Sequence, residues 1–196
     1  MAEVLYHDYA KDLPIIDYHN HLPPEQIASN RQFETISQAW LDGDHYKWRA
    51  MRALGVDEQY ITGQASDKDK FLKWAETVPY TLRNPLFHWT YLELRRYFGI
   101  EELLTPDSAE RIYEQCNELL QSGTLGAMDL LMNMKVETVC TTDDPLDTLS
   151  HHQAHQAKEH PLQLLPTFRP DKFFQIDQPH YLDRITQLSE QVGEPI

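Results

Sequence analysis

Two histidines separated by one residue, His19-Asn20-His21, are the side chains of this sequence best suited to chemistry. In an extended chain residues i and i+2 share a face, so both imidazoles can converge on one divalent ion. Imidazole suits zinc, iron, nickel and related metals. Two donors do not complete a site, so a carboxylate or another histidine must come from elsewhere. The plainer reading of the same residues is a polar turn with local hydrogen bonds. Further along, Thr141-Thr142-Asp143-Asp144-Pro145 offers carboxylates that could ligate a metal, hold a ligating histidine or orient a water. The same residues could simply cap the helix that Pro145 starts. Asp17 could support a ligand or be an ordinary polar strand residue. Arg169 can pair bidentately with a carboxylate or phosphate, or form a surface ion pair with Asp171. His45 and Tyr46, within Asp44-His45-Tyr46-Lys47-Trp48-Arg49, could face a polyhydroxylated ligand or belong to a solvated helix start with Trp48 inward. His151, His152 and His155 read as a solvated helix face, and the aromatic stretch 87–92 reads as core packing.

These residues need elements to position them. The short branched run at 13–18 reads as a buried strand with Pro14 at its first position, and His19 and His21 follow it. Pro23-Pro24 breaks the strand, and a short helix is expected through Ile27. From about 33 to 123 the pattern is helical, with helices expected over 33–41, 46–54, 67–75, 84–98 and from 105 to about 121. Ser66 with Asp69 gives a capping box, Asn84-Pro85 a cap with proline behind it, and Gly99 a stop. Residues 136–141 form a second strand candidate, 146–159 a helix, 162–168 a third strand candidate and 181–191 a last helix. Pro166 inside the third run suggests a bulge or a shorter strand. Strand, long helix, strand implies α/β architecture with parallel strands and right-handed crossovers. The helical block after the first strand is too long for an ordinary crossover and reads as an insertion.

Composition narrows the classes. The 196 residues are 41% hydrophobic and 11% aromatic, a globular rather than a disordered balance. No run approaches the roughly 18 apolar residues of a membrane span, and Met1-Ala2-Glu3-Val4 shows no signal-peptide pattern. Seventeen basic against 31 acidic residues leave a net charge of -14, so nucleic acid and anionic membrane are poor default partners. Cys116 and Cys140 make neither a disulfide framework nor a thiolate cluster, which points to a reducing, cytoplasmic location. No GxGxxG or P-loop occurs.

Several longer stretches carry a resemblance. Asp17-Tyr18-His19-Asn20-His21-Leu22, Gly43 through Arg52 (GDHYKWRAMR), Ile61-Thr62-Gly63, Asn84 through Thr90 (NPLFHWT) and Val139 through Pro145 (VCTTDDP) together resemble uronate isomerases. HxH alone is shared with the wider amidohydrolase superfamily. The resemblance implies the N-terminal part of a distorted (β/α)8 TIM barrel with a large helical insertion after the first strand. The first strand and the start of its loop would occupy 1–27, the insertion 28–125, and the second and third βα units 126–196. It implies a metal-dependent aldose–ketose isomerase converting D-glucuronate to D-fructuronate and D-galacturonate to D-tagaturonate. By that likeness His19 and His21 are metal ligands, with zinc the expected ion. His45, Tyr46 and Arg169 match substrate-binding positions, Arg169 at the sugar acid's carboxylate. The fifth-strand histidine and the eighth-strand aspartate of such enzymes have no counterpart here, so this chain is expected to be an inactive N-terminal portion of a cytoplasmic enzyme. A homo-oligomer stays open for the complete enzyme. The rival expectations are a non-catalytic metal-binding or interaction domain and a related metal-dependent hydrolase.

Overall fold

A computed structural model describes residues 1–196. The chain runs through α1 (Ala2–Val4), a π-helical turn over Leu5–Ala10, β1 (Ile15–Asn20), α2 (Pro24–Ala28), α3 (Ile36–Trp40), α4 (His45–Ala53), α5 (Asp67–Thr77) and α6 (Pro85–Phe98). It continues through α7 (Ala109–Gln121), α8 (Ala127–Asn133), β2 (Val136–Asp143), α9 (Ser150–Gln156), β3 (Gln163–Phe168) and α10 (Tyr181–Val192). Two units result: Met1–Asn30 together with Leu131–Ile196, and Arg31–Leu130. No helix is long and apolar enough to cross a membrane.

The first unit holds the sheet. β1, β2 and β3 lie in that order, all parallel, and the sheet is not closed. Ile27, Leu131, Val136, Val139, Leu162 and Leu164 pack into a small core on the helix-covered side. Pro166 sits within β3 opposite Thr141, and the pairing with β2 runs in unbroken register from Gln163 to Phe168. The bulge or shortening expected at Pro166 is therefore absent. β3 is an edge strand, where a missing N–H is tolerated. An irregularity occurs instead between Asp17 and Asn20 of β1, where three steps along β1 match two along β2.

The second unit is helical, and local chemistry explains its boundaries. Asn84 accepts the Leu86 N–H, Pro85 occupies the first turn, and Gly99 closes α6 at φ 66°. Ser66 accepts the Asp69 N–H at the start of α5, and Asp44 accepts the Tyr46 and Lys47 N–H groups at the start of α4. Phe71, Trp74, Ala75 and Val78 follow helical spacing and are fully buried, as are Ala109, Ile112 and Cys116 of α7. Helix α7 begins later than Thr105-Pro106 suggests. The Ser108 hydroxyl accepts the Thr105 N–H and donates to the Leu103 carbonyl, holding a turn ahead of the helix. Helix α8 has no counterpart in the sequence expectation. Helix α9 is shorter than expected, beginning after Leu149 adopts a left-handed conformation at φ 54°.

Candidate functional site

The C-terminal end of β1 brings two imidazoles together. His19 and His21 place their Nε2 atoms 3.0 Å apart. Their rings are nearly perpendicular at 85°, with centroids 4.8 Å apart. Both side chains are exposed. Asn20 between them shapes the turn. Its Nδ2 donates to Asp17 Oδ2 at 2.6 Å, and its Oδ1 accepts the Leu22 N–H at 2.6 Å. Across the sheet, Thr142 Oγ1 lies 3.4 Å from His21 Nδ1.

This donor pair fits a metal ion. With metal–nitrogen bonds of about 2.0–2.1 Å, donors held this close subtend an angle of roughly 91–97°, within reach of octahedral or distorted tetrahedral geometry. No group of three or more His, Cys, Asp or Glu side chains is positioned to hold an ion.

The neighbouring carboxylates serve the end of β2. Asp144 Oδ1 accepts the Leu146 N–H at 3.0 Å, the capping arrangement. Both of its oxygens also accept from Arg184 Nη2 of α10 at 2.6 Å, and Lys172 Nζ lies 3.1 Å from Oδ2. Burial raises the Asp144 pKa, but the Leu146 N–H, Lys172 and Arg184 outweigh it and hold the carboxyl below its ordinary value. Arg184 was not singled out from the sequence, because its partner lies 40 residues earlier.

Asp143 points the other way, into a buried polar cluster. Thr141 Oγ1 donates to Asp143 Oδ2 at 2.8 Å and lies 2.8 Å from His152 Nε2. The single Thr141 proton goes to the carboxylate, so His152 Nε2–H donates to the threonine oxygen. His152 Nδ1 is buried without a partner. Burial lowers the His152 pKa, opposed by Asp143. His155 is also buried, its Nε2 2.7 Å from the Leu162 carbonyl. The expected solvated face is thus corrected: only His151 is exposed, because α9 turns positions 152 and 155, one turn apart, toward the protein interior.

Arg169 extends the ladder past β3, its N–H donating to the Asp143 carbonyl at 2.9 Å. Its Nε donates to Asp171 Oδ2 at 2.6 Å in an exposed ion pair, as the plainer reading had it. His45 and Tyr46 belong to the helical unit, in the exposed first turn of α4. Asp44 Oδ1 fixes that turn, and Lys47 Nζ, buried, lies 2.7 Å from Asp44 Oδ2. The His45 ring stands edge-on to Trp48, with centroids 4.9 Å apart. Trp48 Nε1 donates to the Leu41 carbonyl, so Trp48 is anchored inward.

Known proteins supply the remaining observation. A family model described as Glucuronate isomerase matches residues 1–196. The chain is 55% identical over 190 residues to a uronate isomerase of Cellvibrio japonicus, covering 94% of this chain and 40% of that protein. It is 54% identical over 189 residues to one of Bacillus pumilus, covering 96% and 40%. A solved uronate isomerase from Thermotoga maritima superposes with a TM-score of 0.87 at 38% identity, over 93% of this chain and 40% of that one. The chain therefore spans about two fifths of the length of the relatives it matches.

Proposed function

The chain belongs to the glucuronate isomerase family, and we propose that it contributes the first metal ligands and part of the uronate pocket of an aldose–ketose isomerase. The observation that carries this reading is the His19–His21 pair, with Nε2 atoms 3.0 Å apart at the end of a parallel strand. The unclosed parallel sheet supports reading its strands as the first three of a (β/α)8 barrel, whose sites collect at the carboxyl ends of strands.

His19 and His21 would hold a divalent ion, zinc in this reading, through Nε2. Such an ion supplies orientation of the sugar oxygens and stabilisation of negative charge developing on them. Arg169 binds the carboxylate of the sugar acid. It must first release Asp171, and because that ion pair is exposed the exchange costs little. The proposed reactions are D-glucuronate to D-fructuronate and D-galacturonate to D-tagaturonate. A base removes the C2 proton, an enediolate forms, and the proton returns at C1. The carboxylates at the end of β2 are committed to Arg184, Lys172, Thr141 and the Leu146 N–H, so none is assigned as that base.

The test is a chimera in which this chain replaces the matching segment of the Cellvibrio japonicus relative. Proton NMR should follow conversion of D-glucuronate to its ketose. Arg169→Gln should raise KM about tenfold or more with a smaller change in kcat, as expected for lost uniform substrate binding. A folded, metal-loaded chimera that hydrolyses lactones or amides and isomerises no uronate would overturn the reading in favour of a hydrolase.

A further inference from the structure

We propose that Thr142 is a positioning residue for His21, presetting it as the ready member of the histidine pair while His19 is the member that adjusts. The proposal rests on the metal reading above and adds a division of labour between the two ligands.

The contact between the two Nε2 atoms can hold one proton. Two bare nitrogens at 3.0 Å would repel, and two N–H groups would clash. One histidine must therefore carry its proton on Nε2 until an ion arrives, and must then move that proton to Nδ1. The surroundings of the two rings are unequal. His21 Nδ1 faces the Thr142 hydroxyl, which has lone pairs to accept an Nδ1–H. In the proposed assignment Thr142 accepts the Nδ1 proton, which leaves His21 Nε2 bare toward His19. His19 then donates its Nε2–H across the 3.0 Å contact and is the one that exchanges tautomer.

Asn20 bridges Asp17 and the Leu22 N–H with two 2.6 Å hydrogen bonds, which fixes the turn on which His21 stands. Thr142 is adjacent to Thr141, yet the two hydroxyls do different work. Thr141 faces the buried side, toward Asp143 and His152. Thr142 faces His21. Partners that orient a ligating histidine through its other nitrogen typically change metal affinity ten- to a hundredfold when removed.

The test uses the full 196-residue chain, with Thr142→Val as an isosteric, β-branched replacement and Thr142→Ser as the conservative rescue. Nitrogen-15 NMR of the metal-free chain reads the tautomers directly. His21 should carry its proton on Nδ1 in the wild type and in Thr142→Ser, and should become a mixture in Thr142→Val. Zinc titrated into the metal-free chimera with the remainder of the Cellvibrio japonicus relative should bind the valine variant about tenfold or more weakly, with the serine variant within about threefold of wild type. A merely structural threonine would leave the tautomer unchanged. A wild-type His21 protonated on Nε2, or equal zinc affinity in Thr142→Val and wild type, overturns the role of Thr142 alone. A folded chimera of this chain with the remainder of the Cellvibrio japonicus relative that takes up no zinc overturns the metal reading, and the ligand-positioning role falls with it.

Discussion

Phe71, Trp74 and Val78 in the helical unit and Ile16, Tyr18 and Phe168 in the sheet unit are all large and apolar, yet their fates are opposite. The first three are fully buried, while the last three are 64%, 80% and 76% exposed. The helical unit closes a core from its own helices. Among the apolar residues of its strands the sheet unit buries Val136, Val139 and Leu164 and leaves Ile15, Ile16, Tyr18, Leu165 and Phe168 exposed. Parallel sheets ordinarily have both faces covered. The unit that carries the histidine pair is thus the one with the smaller core. The larger core and the proposed metal ligands reside in different parts of the chain.

The largest expected effect tests that contrast through truncation. Phe71→Ala should cost about 3–5 kcal/mol in denaturant melts, the range for deleting a buried aromatic side chain. Ile16→Ala, on the exposed strand, should change stability by less than about 0.5 kcal/mol. Similar losses from the two would break the comparison.

A smaller effect concerns how the sheet unit ties its own ends. Asp144→Asn removes the charge that Arg184 and Lys172 share and leaves Arg184 partly buried without its carboxylate. It should cost about 2 kcal/mol, below the full value for a buried pair because the group retains some solvent. The folded-state pKa of Asp144 is depressed. Its contribution is therefore complete above the ordinary carboxylate pKa and lost as pH falls through the lowered value. The stability difference between wild type and Asp144→Asn should shrink over that acid range, as read by paired melts.

The smallest effect belongs to His152. Burial depresses its folded-state pKa, so the unfolded chain takes up the proton first. Its contribution is complete above the ordinary histidine value and falls as pH drops below it. Between pH 7 and 5.5, amides of β2 and α9 should lose protection in the wild type, and His152→Gln should flatten that dependence. An unchanged slope in the variant would remove His152 from the account.

What was legible in the sequence was local. The limits of α6 follow from Asn84-Pro85 and Gly99, which act within one turn of themselves. The strand before His19 follows from a short branched run, although no residue of β1 is buried as that run suggests, and the convergence of His19 and His21 follows from a period of two. What was hidden depends on distant partners. His152 and His155 look like surface residues until α9 is placed against the sheet unit. Asp144 looks like a cap, which it is, but Arg184 arrives from α10 and adds its structural charge. Thr142 lies within the Thr141–Pro145 stretch, but its nearness to His21 depends on β1 and β2 pairing side by side.

Residue-resolved hydrogen exchange on the intact chain at neutral pH measures the contrast most directly. Amides of α5, α6 and α7 should exchange only through one common, high-energy opening, while those of β1 exchange through a lower-energy opening of the sheet unit. Protection of β1 equal to that of α5 would contradict the account.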